Sequence, residues 1–392
     1  MWFLFFACNP SEKSIVSAIN DSAESIEDIE DSADTDVTSS GRPEELLGFF
    51  IDNARYPRAV CNDGSTPILY YRPGIDSDTD KWVIWFEGGG SCSTQENCVE
   101  RWTNDRALMT TCSGVDCEDF EIDATKNKSG ILAATPEENP HFHTWNHVML
   151  NYCSSDFWLG NRDSPIAFGT VDVYFRGHDI AESMFSTLLG ESLIEGAPSL
   201  ADAREIVIGG SSAGAIGMRS HIDHFVERLS FAEVRAFSDA GIVPLISEQA
   251  LGMINTLNQQ RMQVWDGFVD QSCKANHPDT EHNCIRGAFL VENNEIQTPI
   301  YYHQDQADTK GYGANAMTAP PYSEELKQSV HQASREFFST HIDAAYVPRK
   351  GHHIILATTR FHDASLLDDI SIADTFWSWY QGTGTLHMEP ED

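Results

Sequence analysis

The chain has 392 residues, of which 41% are hydrophobic, so it has enough apolar material for one large core or two modest ones. Its 60 acidic residues against 25 basic ones give a formal net charge of −35, which disfavours binding to nucleic acid or to an anionic membrane surface. We therefore expect no nucleic-acid partner. Beyond the N-terminus, nothing reaches the ~20 consecutive apolar residues that a transmembrane helix requires.

The N-terminal segment MWFLFFACNP joins a short apolar run to Cys8. This pattern resembles the end of a bacterial lipoprotein signal, although the positive segment is missing and the apolar run is short. The alternative is the remnant of an ordinary secretion signal. Residues 1–8 are therefore interpreted as a signal or lipoprotein-signal remnant with Cys8 as the lipidation candidate. Both readings predict an extracytoplasmic protein, either secreted or lipid-anchored to the cell envelope.

Two further regions follow. Residues 9–42 are rich in Ser, Asp and Glu and are predicted to be an acidic, disordered tether, because they offer too little apolar surface to offset the entropy of ordering. Residues 43–392 are predicted to form one catalytic domain, which we expect to be monomeric. Within it, strand-like apolar runs alternate with helical patterns. This alternation predicts an α/β fold with a mostly parallel central sheet and helices on both faces.

The predicted strands end in small or polar residues, and the first such end is glycine-rich. The stretch WVIWFEGGGSC, residues 82–92, is an apolar strand that runs into a triple glycine. In α/β-hydrolases a loop of this kind supplies backbone N–H groups to a developing oxyanion. Gly89 and Gly90 are predicted donors, together with Ala213 after the candidate nucleophile. The bland alternative is a flexible loop after a buried strand.

The stretch EIVIGGSSAGAIGM, residues 205–218, contains Gly-Ser-Ser-Ala-Gly between a predicted strand and a predicted helix. G-x-S-x-G in this context is typical of a nucleophile elbow, in which small neighbours let a serine sit in a strained strand-to-helix turn. Ser212 is the predicted nucleophile, and Ser211 is the alternative that is out of register.

In α/β-hydrolases the acid and then the histidine follow the serine along the chain. Asp305 and Asp308 follow the strand-like TPIYYH, and Asp239 follows an earlier one. His352 and His353 follow AAYV, with His362 as a third candidate. Residue pattern alone leaves these alternatives open.

Eight cysteines remain when Cys8 is set aside, and the sequence has no C-x-x-C of the kind that binds zinc. Three close spacings predict local disulfides, which leaves one distant pair. We expect neither metal nor cofactor. The predicted disulfides are Cys92–Cys98, Cys112–Cys117, Cys273–Cys284 and Cys61–Cys153.

Five segments together resemble the pectin acetylesterase and Notum family of carboxylesterases: CNDGSTPILYY, WVIWFEGGGSCSTQENC, NPHFHTWNHVMLNYCSSDFWLG, GGSSAGAIG and VPRKGHHII. The resemblance implies an α/β-hydrolase fold without a cofactor. It implies Ser212 as nucleophile, Asp305 as acid and His352 as base. It also implies the oxyanion donors and two of the disulfides named above. The aromatic pair Phe157 and Trp158 would line the substrate pocket.

The sequence therefore predicts a serine carboxylesterase that removes acetyl groups from a polysaccharide such as pectin. An alternative within the same class is a Notum-like or lipase-like esterase for longer acyl chains. A non-catalytic, carbohydrate-binding surface protein is the alternative from another class.

Overall fold

The computed structural model describes residues 42–112, 122–169, 171–190, 192–310, 313, 315 and 323–390. The segment predicted to be a signal remnant, with Cys8, and the predicted tether as far as residue 41 lie outside the described residues. Cys117 does as well, so the predicted Cys112–Cys117 disulfide is not among the described features. No helix in the described ranges combines the length and hydropathy needed to cross a bilayer.

Most strands of the described chain join a single ten-stranded sheet in the order β12-β11-β10-β9-β8-β3-β5-β2-β1-β4. Neighbours from β12 to β5 pair in parallel, whereas β2, β1 and β4 form an antiparallel edge. The strands are β1 (Leu46–Phe50), β2 (Ile68–Arg72), β3 (Lys81–Phe86), β4 (Thr125–Lys126), β5 (Asn146–Leu150), β6 (Ile166–Phe168), β7 (Val171–Val173), β8 (Glu205–Ser211), β9 (Glu233–Asp239), β10 (Ile300–His303), β11 (Ala345–Val347) and β12 (Leu386–Met388).

Helices surround this sheet. They are α1 (Gln95–Asn104), α2 (Gly177–Leu188), α3 (Ala213–Arg228), α4 (Glu248–Trp265), α5 (Gln271–Asn276), α6 (Gly287–Glu292), α7 (Glu324–His341) and α8 (Ile372–Tyr380).

The alternation of side chains along β3 shows how helices cover both faces. Trp82, Ile84 and Phe86 belong to one apolar cluster, which also contains the buried side chains of α2 and α3. Val83 and Trp85 belong to a second cluster, which contains the buried side chains of α8. Successive strand residues point to opposite faces, so a continuous apolar run buries both sides of the sheet. The predicted fold class is confirmed.

Two parts of the sheet differ from the sequence-based expectation. The apolar run VDVYF has the pattern of a strand of the central sheet, but β7 within it pairs with β6 in a separate antiparallel hairpin. The antiparallel edge and β12 were not recognised, because these strands are only two to five residues long. None of this affects the centre of the sheet, where the carboxyl ends of the parallel strands converge.

Sheet register brings the candidate residues to that one edge. Phe86 at the end of β3 pairs with Gly210 of β8, which places the glycine loop beside the candidate nucleophile. Ser211 pairs with Asp239 at the end of β9, and Asp239 pairs with His303 at the end of β10. In open α/β sheets ligands bind at the carboxyl ends of the strands, which is where these residues lie.

Candidate active site

Ser212 occupies a strained turn between β8 and α3. Its backbone has φ 55° and ψ −117°, a combination that is costly for a residue with a side chain. The Ser212 N–H donates to the carbonyl of Asp239 at 2.8 Å, which fixes the turn against β9. The strain is thus maintained by the surrounding sheet.

The two glycines of the motif are required by close backbone approaches. A Cβ on Gly210 would lie 2.4 Å from the carbonyl oxygen of Gly214, and a Cβ on Gly214 would lie 2.1 Å from that of Phe86. Both distances are far below a van der Waals contact. Helix α3 can therefore pack this close to β3 and β8 only because these positions have no side chain.

A hydrogen-bonded chain runs from Ser212 through His353 to Asp308. His353 Nε2 lies 2.8 Å from Ser212 Oγ, and His353 Nδ1 lies 2.7 Å from Asp308 Oδ2. The Asp308 carboxylate is 1% exposed. A carboxylate can only accept here, so Nδ1 carries the proton and Nε2 is free to accept from the serine hydroxyl. This arrangement positions the histidine as a base for Ser212.

The hydrogen bonds to Ser212 differ from the expectation that His352 is the base and Asp305 the acid. Asp305 accepts backbone N–H groups instead: Oδ2 from Lys350 at 3.0 Å and from His352 at 2.9 Å, and Oδ1 from Ala307 at 2.8 Å. His352 is therefore tied to Asp305 by its backbone, and the next residue carries the imidazole that reaches Ser212. The pair that the structure brings to the serine is His353 and Asp308.

The earlier alternative Asp239 holds the other side of the same loop. Its carboxylate accepts from the backbone N–H groups of Ile355 at 3.2 Å and Leu356 at 3.1 Å and from Ser211 Oγ at 3.1 Å. Its other oxygen lies 2.7 Å from His303 Nδ1, and both side chains are fully buried. Asp239 and Asp305 thus anchor the His353 loop from its two flanks.

The glycine loop after β3 faces the same site. Gly88, Gly89, Gly90, Ser212 and Ala213 line one cavity. Gly89 and Gly90 have φ of 151° and 72°, which turns their peptide groups in ways that favour glycine. Within the described chain, no acceptor takes the N–H groups of Gly89, Gly90 or Ala213. These groups are available to a ligand, as the prediction of an oxyanion hole requires.

The cavity has a volume of about 840 Å³ and is walled mainly by aliphatic side chains. Helix α4 contributes Ile254, Leu257, Asn258 and Arg261, whose spacing of three and four residues places them on one helical face. A loop after β9 and the segment around Ile285 complete the wall. Sequence reasoning missed α4 entirely, although its i, i+3, i+4, i+7 spacing is a helical signal.

The structure separates Phe157 from Trp158. Phe157 lines the cavity, as expected. Trp158 does not: it is fully buried, donates from Nε1 to the carbonyl of Glu87 at 3.0 Å, and lies against Gly217 of α3. Both residues have positive φ, of 57° and 67°, so the chain turns sharply here and directs the second ring into the core. Trp158 therefore supports the glycine loop from behind.

Three disulfides join residues that the sequence paired: Cys61–Cys153, Cys92–Cys98 and Cys273–Cys284. The first joins the loop before β2 to the end of β5, and the second joins the loop after β3 to α1. Among the described residues, Cys273, His277 and Glu295 have ligand atoms within 4.8 Å of one another. The Cys273 sulfur is committed to its disulfide and His277 bonds Glu295 at 2.8 Å, so this cluster is structural.

Several known proteins are similar to this chain in sequence. The chain is 28% identical over 335 residues to palmitoleoyl-protein carboxylesterase NOTUM of Drosophila melanogaster, covering 83% of this chain and 47% of that protein. It is 30% identical over 193 residues to pectin acetylesterase 11 of Arabidopsis thaliana, covering 49% and 44%. The chain spans about half the length of these curated relatives.

The solved structure of the Wnt deacylase Notum from Drosophila superposes with a TM-score of 0.73 at 26% identity, covering 88% of this chain and 97% of that one. The family described as Pectinacetylesterase matches residues 45–387, which include the glycine loop, Ser212, Asp308 and His353. The chain therefore belongs to the pectinacetylesterase family.

Proposed function

We propose that the protein is a serine carboxylesterase in which Ser212 is the nucleophile, His353 the general base and Asp308 the residue that orients the base. The single observation that carries this proposal is the hydrogen-bonded chain from Ser212 Oγ through His353 to Asp308. The carboxylesterase names of the relatives support it.

In the proposed reaction, Ser212 Oγ attacks the ester carbonyl carbon while its proton passes to His353 Nε2. The N–H groups of Gly89, Gly90 and Ala213 donate to the oxyanion that forms. His353 then protonates the departing alkoxide. Asp308 keeps the imidazole in the tautomer with Nδ1–H and stabilises its charged form. Water, deprotonated by His353, hydrolyses the acyl-enzyme and restores the hydroxyl.

For the substrate, we propose an ester whose acyl group is longer than acetate. The support is the cavity beside Ser212, about 840 Å³ in volume and mainly aliphatic, which far exceeds the needs of an acetyl group. Burying one methylene contributes ~0.8 kcal/mol, or roughly fourfold in kcat/KM. Acetate removal from a polysaccharide, such as pectin, is the second candidate, because the family description and the plant relatives favour it.

We also propose that the protein acts outside the cytoplasm. Three disulfides stabilise its described part, and such bonds persist in oxidising compartments. A lipid anchor at Cys8 and a monomeric state are further parts of this proposal.

The test is hydrolysis of p-nitrophenyl esters from acetate to palmitate by the wild type and by Ser212→Ala. Ser211→Ala is the matched control, because it removes a neighbouring hydroxyl that donates to Asp239 and not to His353. We expect Ser212→Ala to lose turnover on every ester and Ser211→Ala to retain most of it.

Rising kcat/KM from acetate to medium chains supports the acyl-chain proposal. Falling kcat/KM favours the polysaccharide deacetylase. If neither the wild type nor Ser212→Ala hydrolyses any ester above background, the esterase is refuted and the non-catalytic carbohydrate-binding alternative is favoured. Equal and substantial turnover by both would instead refute Ser212 as the nucleophile.

A further inference from the structure

The residues of the cavity wall carry a net positive charge, whereas the chain as a whole carries a net negative charge. The protein carries a formal net charge of −35. The cavity is nevertheless lined by Lys128, Arg261, Arg286 and Lys310, and among the described lining residues Glu87 is the one acidic group. Glu87 lies 3.3 Å from Lys128 and so neutralises that lysine. Neither arginine has such a partner among the residues that the structure describes.

Arg261 is enclosed by neutral groups. Its guanidinium lies 4.9 Å from the ring centre of Phe157 and 5.9 Å from that of Trp265. Its Nη1 donates to Asn258 Oδ1 at 3.0 Å, while its buried Nε has no acceptor. Burial lowers the pKa of Arg261 to about 10, so the side chain remains cationic at neutral pH. It is a partly buried charge without a counterion in the described chain.

Arg286 forms a second cation on this wall. Its guanidinium lies 5.8 Å from the ring centre of Phe289, and its side chain makes no hydrogen bond or ion pair among the described residues. Burial lowers its pKa, and the charge of Glu292 opposes this shift. Its donors remain available to an anionic ligand in the cavity.

Two partly buried guanidinium groups without carboxylate partners are unfavourable unless something else compensates their charge. Exposed arginines of the same chain, such as Arg58 and Arg204, each pair with aspartate. Acidic residues outnumber basic ones by 60 to 25, so partners for the cavity arginines would be easy to supply. Their absence among the described residues at this site points to a partner that arrives with the substrate.

We propose that Arg261 and Arg286 form an anion subsite on the cavity wall, and that the ester substrate carries a carboxylate which this subsite binds. The inference rests on the proposed esterase function. A guanidinium fork matches the two oxygens of a carboxylate, and bonds between such charged groups are stronger than neutral ones. The carboxylate can lie on the acyl chain or on the alcohol, and the experiment below separates these two sources.

The experiment compares matched pairs of esters that differ by one carboxylate. On the acyl side, mono-p-nitrophenyl adipate is compared with p-nitrophenyl hexanoate. On the alcohol side, an O-acetyl methyl uronoside is compared with the O-acetyl methyl glycoside of the neutral sugar. The readout is the ratio of kcat/KM for the carboxylate ester to that for its neutral match. Measurements at 0.15 M salt shorten the reach of the overall negative charge to about 8 Å.

We expect the wild-type ratio to favour the carboxylate ester in one of the two arms. Arg261→Gln and Arg286→Gln should each lower that ratio by about 10- to 100-fold, the range for losing a charge-assisted hydrogen bond to a substrate. Arg204→Gln is the matched control, because it removes the same charge from an exposed arginine paired with Asp80. It should leave the ratio unchanged.

A drop in the acyl arm assigns the carboxylate to the acyl chain, and a drop in the alcohol arm assigns it to the alcohol. A ratio that neither cavity variant lowers in either arm overturns the inference, provided that circular dichroism shows a folded protein. If both variants fail to fold, a wild-type preference for the neutral ester in both arms overturns it as well. Ser212→Ala keeps this failure distinct from failure of the esterase proposal.

Discussion

The assignment of Asp308 rather than Asp305 to the catalytic chain can be tested by changing each to asparagine. In Asp308→Asn, the amide can present its NH₂ group to His353 Nδ1, where the carboxylate now accepts at 2.7 Å. The imidazole would then carry its proton on Nε2, and it could no longer accept from Ser212. For a serine triad this change lowers kcat by about 10⁴-fold. We expect a loss of that order, with little change in melting temperature.

Asp305→Asn should have the opposite effects: a lower melting temperature and little loss of kcat. Asp305 accepts three backbone N–H groups, from Ala307, Lys350 and His352. An amide has one acceptor oxygen, so at least one of these bonds is lost. A hydrogen bond to a charged group contributes about 1.5–3 kcal/mol. The melting temperature should therefore fall by roughly 5 °C. Turnover should fall far less than in Asp308→Asn, because the catalytic hydrogen bonds remain.

The assay measures kcat on a medium-chain p-nitrophenyl ester and the melting temperature by calorimetry for both variants. The reasoning is refuted if Asp305→Asn loses as much kcat as Asp308→Asn without a lower melting temperature. It is also refuted if Asp308→Asn keeps a tenth or more of the wild-type kcat.

Three further predictions concern stability. Burial lowers the pKa of His221 to about 3, below the unfolded value near 6.5. The free energy of unfolding should therefore fall as the pH drops from 6.5, by ~2 kcal/mol at pH 5. Urea unfolding of His221→Phe should show a shallower pH dependence than the wild type, and an equal slope would contradict this. Serine at Cys61 and Cys153 should cost roughly 2–5 kcal/mol in chemical denaturation, since the disulfide spans 92 residues, and an unchanged denaturation midpoint would count against it. Gly214→Ala should lower both melting temperature and activity, because its Cβ would meet the Phe86 carbonyl, and a fully active, equally stable variant would contradict the packing argument.

The strained turn at Ser212, the proposed nucleophile, could be predicted because its geometry is encoded locally. A strained strand-to-helix turn needs small residues beside the serine, and Gly210 and Gly214 stand where backbone oxygens leave no space for a side chain. The continuous apolar run of β3 likewise indicated a sheet that is buried on both faces. These signals depend on neighbours in sequence, so one chain is enough to interpret them.

The carboxylate and the imidazole that form the hydrogen-bonded chain to Ser212 belong to Asp308 and His353, three residues and one residue after the predicted Asp305 and His352. Asp305 and Asp308 lie in the same loop, and His352 and His353 are adjacent, so spacing cannot separate them. Which histidine reaches Ser212 depends on hydrogen bonds that the loop backbone donates to Asp305 and Asp239. These partners are more than forty residues away in the sequence. The position of Trp158 in the core also depends on distant partners, the Glu87 carbonyl and Gly217.

The loop that carries His353 is anchored separately from the cavity wall, so mutations could alter the substrate preference without moving His353. Asp239 and Asp305 secure that loop from the ends of β9 and β10, whereas α4 forms the cavity wall. Among the described residues, no hydrogen bond links the cavity face of α4 to Ser212 or His353. Reactivity and selectivity are thus held by separate parts of the molecule. Variant libraries confined to Ile254, Leu257 and Asn258 should alter the preferred acyl group while leaving the chemistry of the serine intact.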